Sequence, residues 1–185
     1  MSRKASGISL AALLCVVIAC SAPAQDALDV RSVETIRAAY IHDIGDVHTK
    51  LLALARAIPP DKYSWRPATG VRSVSEVLMH VAGEFYDFAP LAVGGRPPAA
   101  YSGEGKTEAL ERITSKDAVI AEFEKAWAHT KLELPAADAS RLTGKKTFNR
   151  DFAAAVLLVE GDQHEHLGQL IAYARSLGVK PPWTR

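Results

Sequence analysis

Apolar side chains recur at steps of three and four along four stretches of the chain, and polar or Gly/Pro-rich connections separate them. The first stretch carries Val33, Ile36, Tyr40, Ile44, Val47, Leu51, Leu54 and Ile58 and stops at Pro59-Pro60, which cannot extend a helix. Asp29 or Ser32 is its expected N-cap. The second opens on Ser73-Val74-Ser75-Glu76, a capping box in which Ser and Glu satisfy each other's backbone donors. It runs to about Phe88, with Val77, Leu78, Val81 and Phe85 on the apolar side. A third helix is predicted from near Ser115 through Val119, Ile120, Phe123, Ala126 and Trp127, ending by Pro135. The fourth runs from near Asn149 to Leu177, where Gly178 supplies the residue after the helix and Pro181-Pro182 enforces the stop. Residues 90–106 and 136–146 read as loops. No stretch alternates with period two between turn signals. The pattern therefore predicts an all-α fold, a four-helix bundle, whose long second and third connections leave room for a crossover.

The first 24 residues have a different character. Arg3 and Lys4 precede an apolar run from Ile8 to Ala19, too short to span a bilayer comfortably, and Ala22-Pro23-Ala24 follows as an A-x-A site. This reads as a signal peptide over 1–24, cleaved after Ala24, with the bundle domain occupying 25–185. A competing reading takes Val17-Ile18-Ala19-Cys20 as a lipobox, which would make Cys20 a lipidated N-terminus and the only route to a membrane. Either way the expectation is an exported, periplasmic protein.

Composition changes this picture in two places. The 185 residues carry 22 basic and 21 acidic side chains, so the basic surplus of a nucleic-acid-binding protein is missing. Without Arg3 and Lys4 the balance is 20 against 21, a net charge of −1. The two cysteines, Cys15 and Cys20, both lie in or beside the signal. The domain thus has no thiol for a disulfide, a nucleophile or a metal, and catalysis falls to His, carboxylates, hydroxyls or a metal ion.

Of the histidines, His42 and His48 on the first helix read as solvated or boundary residues, and His129 as a favourable charge near a helix C-terminus. His80 differs: it lies mid-helix among apolar neighbours, with Glu76 and Glu84 four residues to either side on the same stripe. On the last helix Asp162 and His166 are four apart and can face one ion, whereas His164 and His166 are two apart and point away from each other. Polar residues gathered inside a bundle are costly unless they serve one another or a metal. His80 with Glu76 or Glu84, and His166 with Asp162, can accordingly supply three or four ligands for one divalent ion, with zinc, nickel, iron or manganese all compatible with N/O donors. The Glu-x-x-His pair that ferritin-like di-iron bundles need on two helices is missing. The rival reading is a non-catalytic binding or stress-related bundle whose polar cluster satisfies itself.

Several blocks resemble the DinB-like (DinB/YfiT) superfamily of four-helix-bundle metalloenzymes. They are Trp65-Arg66-Pro67 with Gly70-Val71-Arg72-Ser73, Val77 to Ala82 around His80, and His164 to Arg175. The tail Gly178 to Trp183 is similar to an exported branch of that family. The resemblance implies a divalent metal held by one His of the second helix and an H-x-x-x-H pair of the last. His80 and His166 match two of these positions, and Asp162 stands where the third His is usual. Glu84 is then a further ligand or a partner of the ligands. The resemblance also implies a metal-dependent hydrolase, or a transferase that uses a low-molecular-weight thiol, acting on a small molecule the sequence does not identify. Relatives of this kind are often dimers, so a homodimer is compatible with it.

Overall fold

The computed structural model describes residues 28–103 and 105–183. The predicted signal peptide over 1–24 and Cys20 lie outside the described residues. Five α-helices form the fold: α1 (Val30–Ala57), α2 (Val74–Tyr86), α3 (Phe88–Ala92), α4 (Lys116–Glu133) and α5 (Phe152–Ser176). The four long ones make the bundle. α1 packs against α4 and α5, and α2 packs against the same two, so α1 and α2 stand diagonally. The chain therefore crosses the bundle between its first two helices, and the connections are not simple up-and-down turns. No helix among the described residues is long and apolar enough to cross a membrane.

Local sequence sets the helix ends. Asp29 is the N-cap of α1, its carboxylate accepting from Ser32 N at 2.7 Å. At the other end Lys116 donates Nζ to Arg56 O and Ile58 O at 2.6 and 2.7 Å, a cation on the otherwise open carbonyls. The capping box of α2 forms as expected: Glu76 N donates to Ser73 Oγ, and Ser73 N donates to Glu76 Oε2. Gly178 takes φ +76 after α5, as a helix-ending glycine should.

Two loop expectations need correction. Residues 90–106 are not irregular throughout, since α3 and a 3-10 turn at Ala99–Tyr101 occupy part of them. Near residue 149, a two-residue antiparallel hairpin, β1 (Lys146–Thr147) with β2 (Arg150–Asp151), replaces the predicted helix start. Phe148 and Asn149 both have positive φ, the geometry of a tight hairpin turn. Asp151 becomes the N-cap of α5. Phe148 packs on Phe88 with ring centroids 4.7 Å apart, and that contact offsets its strained backbone.

The core is a continuous apolar cluster in which Tyr40, Ile44, Leu51, Leu78, Phe85, Phe123 and Leu170 are fully buried. Its unexpected member is His48. The periodicity of α1 places it beside Val47, yet it is 7% exposed and stacks between Trp127 and Phe123 at 4.4 and 5.4 Å. It is not a surface residue. A flat ring four residues after Ile44 fills the slot between α1 and α4 as well as an apolar one would. Gly83, in mid-α2, permits another close approach: a Cβ there would meet Thr107 Cβ at 2.7 Å. The segment that bears Glu111 thus lies directly against α2.

His48 supplies a test of this packing. Burial, then the charges of Lys131 and Arg56, lower its pKa from 6.5 to about 4. The stability due to the neutral ring is complete above pH 6.5. It falls as the pH drops toward 4, because the unfolded chain takes up a proton that the folded one refuses. At the lower limit the loss is roughly 3 kcal/mol. Nε2 has no hydrogen-bond partner, so His48→Phe removes the titration without orphaning a group. Asp162 titrates in the same window with the opposite sign, so the comparison is wild type against H48F. Chemical denaturation at pH 7 and at about pH 4.5 should show the wild type losing more stability than H48F; equal losses would refute this role for His48.

Candidate metal centre

α2 and α5 lie side by side, and their facing polar residues meet at one place on the seam. His80 and Glu84 are one turn apart on α2, and His166 faces them from α5. One ligand atom from each of the three lies within 4.8 Å of the others. Glu84 Oε1 is the hub, 3.1 Å from His80 Nε2 and 3.5 Å from His166 Nε2. The two imidazoles meet edge to face with centroids 4.9 Å apart. Asp162, one turn before His166, places Oδ1 3.9 Å from His166 Nε2. It lies outside the three-residue group but within the same pocket of charge. The Glu84 and His166 side chains are each 11% exposed, and His80 and Asp162 about a third, so the cluster opens to solvent on one side.

Each imidazole is held from behind through Nδ1. His166 Nδ1 lies 3.2 Å from Gln169 Oε1. The amide of Gln169 is oriented because its Nε2 donates to Tyr173 Oη at 3.0 Å, and Tyr173 in turn donates to Arg72 O at 3.0 Å. Gln169 therefore offers an acceptor, so Nδ1 carries the proton and Nε2 faces Glu84. His80 Nδ1 lies 3.3 Å from Glu111 Oε1, which also accepts from Arg72 Nε at 3.0 Å. Without a metal, Nε2–H of His80 donates to Glu84; an ion at the hub would take the Nε2 lone pair instead, with the ring's proton on Nδ1 toward Glu111. Arg72 closes the ring, its guanidinium on the partner of one histidine and its carbonyl on the relay behind the other. Gln163, fully buried on α5, donates Nε2 to Glu84 Oε2 at 2.6 Å and fixes the second carboxylate oxygen.

The electrostatics follow from this crowding. Burial alone would raise the Glu84 carboxyl, but hydrogen bonds from His166, His80 and Asp162 hold it down at about 2. For His166, burial opposes the charged ring and Glu84 overrides it, pushing the pKa up to about 9. Asp162 goes up to about 7, through burial and then through its hydrogen bond with Glu84 and that residue's charge. Without a metal the cluster is thus an ion pair of Glu84 and His166, with a neighbouring acid that gains and loses its proton near neutrality. Two imidazole nitrogens and an ionised carboxylate converging on one point, with the His166 proton displaced, would suit a divalent ion of borderline character.

Other sequence candidates lie apart. Glu76 is taken up by the cap of α2 and by Arg66, 2.9 Å away. His164 turns to α1, with Nε2 2.7 Å from Asp43 Oδ2. His129 bonds Arg96 O at 2.9 Å.

A sequence profile of the DinB superfamily matches residues 44–170, which include α2, α4 and most of α5. The chain belongs to the DinB superfamily. Among curated relatives, the uncharacterized protein YjoA of Bacillus subtilis (strain 168) is 25% identical over 131 residues, covering 68% of this chain and 80% of that protein. No solved structure matches the chain. In this DinB protein the α2–α5 seam that carries His80, Glu84 and His166 falls wholly within the matched span.

Glu111, Gln163, Gln169 and Tyr173 were not among the residues singled out from sequence. Gln169 and Tyr173 follow His166 at helical steps of three and four, a signal available in the sequence. Glu111 reaches His80 only through the docking of a 3-10 turn on α2, which local sequence does not encode. Removing the relay should weaken metal retention. Gln169→Leu frees His166 Nδ1 and is expected to lower the affinity for Zn2+ by about 10- to 100-fold, measured by competition with a chromophoric chelator. An affinity equal to that of the unmodified protein would show that Gln169 does not position the ligand.

Proposed function

We propose that this protein is an exported DinB-superfamily metalloprotein that holds one divalent ion through His80, His166 and a carboxylate, and acts as a metal-dependent hydrolase or a thiol-dependent transferase on a small molecule. The observation that carries this reading is the pair of Nε2 atoms converging on Glu84 Oε1 while both Nδ1 atoms are engaged behind them. Glu84 is the nearest carboxylate ligand, and Asp162 is the ligand expected at the position where relatives carry a third His. A bound ion would supply Lewis acidity, lowering the pKa of a water or cosubstrate thiol to near neutrality.

The chain's own groups do the rest. Where Glu84 is the carboxylate ligand, Asp162, with a third of its side chain exposed on the open side of the cluster, is placed to take a proton from an incoming nucleophile and return it to a leaving group. Gln163 keeps Glu84 from rotating, and the Gln169–Tyr173–Arg72 relay keeps His166 from doing so. Because the domain contains no cysteine, a thiol reaction needs an external thiol.

One observation favours a second reading. Glu84 and the two histidines already satisfy one another, so the cluster also works as a closed polar network in a non-catalytic bundle protein. Metal analysis of untagged protein decides between them. One ion per chain is expected, retained by His129→Ala and lost by His166→Ala. No metal after loading with zinc, nickel or manganese, or equal retention in both variants, would favour the network reading. Export has its own check: mass spectrometry of the mature protein should give Gln25 as the first residue, and a lipid adduct on Cys20 would establish the anchored form instead.

A further inference from the structure

α5 carries a second acid–histidine pair, offset by two residues from the first. Glu160 and His164 are one helical turn apart, as Asp162 and His166 are, and the offset turns them onto the opposite seam, between α5 and α1. There Asp43 of α1 meets them. One ligand atom from each of Asp43, Glu160 and His164 lies within 4.8 Å of the others, and His164 Nε2 is 2.7 Å from Asp43 Oδ2. Among the described residues neither carboxylate has a Lys or Arg ion pair; His164 pairs with Asp43, and Glu160 is left without an ion pair. Nothing in the first centre uses these three side chains.

The surroundings strengthen their field. Asp43 and Glu160 also form the polar edge of a groove of about 330 Å³, whose other walls are apolar and include Ile36, Val156 and Leu157. Apolar walls keep water from screening the charges on that side. The buried Tyr40 phenol beneath registers the result: burial and then the charges of Glu160, Glu84 and Asp43 all push its pKa up.

We propose that Asp43, Glu160 and His164 form a second divalent-cation site, separate from the His80/Glu84/His166 centre. One imidazole and two carboxylates from neighbouring helices supply the N and O donors that zinc and similar ions accept, and the partial exposure of His164 and Asp43 leaves room for an external ligand. The ion would take the place of the hydrogen bond that now joins His164 Nε2 and Asp43 Oδ2. The greater exposure makes this the weaker of the two sites, filled after the first.

The test is Zn2+ binding to the untagged full chain, followed by calorimetry and by equilibrium dialysis with metal analysis. The wild type should show two classes of site. His164→Ala and Asp43→Asn should each abolish the weaker class and leave the tighter one, while His166→Ala should do the reverse. These side chains are partly exposed and lie outside the apolar core, so the His164 and Asp43 variants should fold, which circular dichroism checks. A wild type whose single class is the one lost in His164→Ala and Asp43→Asn would overturn the reading of the first centre and leave this one standing. A wild type without a second class, or a second class that survives both His164→Ala and Asp43→Asn, would overturn this proposal.

Discussion

The ionised Glu84 carboxylate, placed between two imidazoles on the α2–α5 seam, is the constraint around which the centre is organised. A buried carboxylate is tolerated only when its lone pairs are engaged, and here His80, His166 and Gln163 engage them. That requirement fixes the register of α2 against α5, because a shift of either helix by one residue would carry a partner away from the hub. It also explains why the seam is polar at this depth while the residues around it, such as Leu78, Val81 and Leu170, are fully buried and apolar. The same need extends outward. Each histidine that serves Glu84 has its other nitrogen buried or half-buried, so Glu111 and Gln169 are recruited, and Arg72 ties the two together.

The bundle itself was legible in the spacing of apolar residues. The limits of α1, the capping box of α2 and the glycine stop of α5 follow from contacts within a few residues, which sequence displays directly. What was misread depends on neighbours distant in the chain. His48 stands on α1 with spacing that suits a boundary position, and only the Trp127 and Phe123 rings from α4 make it part of the core. The hairpin at 146–151 is too short for alternation to reveal and depends on a left-handed turn at Phe148. In the centre, His80 and His166 stood out because a histidine amid helical apolar residues is conspicuous. Glu84 stood out only through the family resemblance, as a further ligand or a partner of the ligands, since on the stripe alone Glu76 was its equal. The structure separates the two: Glu76 is consumed by the helix cap, and Glu84, two turns further on, lies opposite α5.

Two consequences of helix geometry give α5 its character. Residues two apart diverge by about 200°, so alternate polar residues between 160 and 166 serve two different seams. One seam is bordered by α2 and contains the buried hub. The other is bordered by α1 and is open. A single run of polar sequence thus builds two unlike environments from the same residue types, and it is burial, not composition, that distinguishes their chemistry.

The position of Asp162 shows how the charges of the centre are balanced. A set of three histidines would be neutral, whereas this centre has a carboxylate hub already ionised and a second carboxylate beside it. Burial and the adjacent Glu84 oppose a second negative charge, which is why Asp162 retains its proton to about pH 7. The repulsion that raises Asp162 is the one a divalent cation would relieve, and so would the proton that Glu84 draws onto His166. Metal and protons therefore compete for the same electrostatic well. The features that make the metal-free cluster self-sufficient, a deep negative hub with its protons close by, are also those that would hold a cation and supply it with an acid–base partner. Aspartate at position 162 thus adds to the hub a negative charge that a cation would balance.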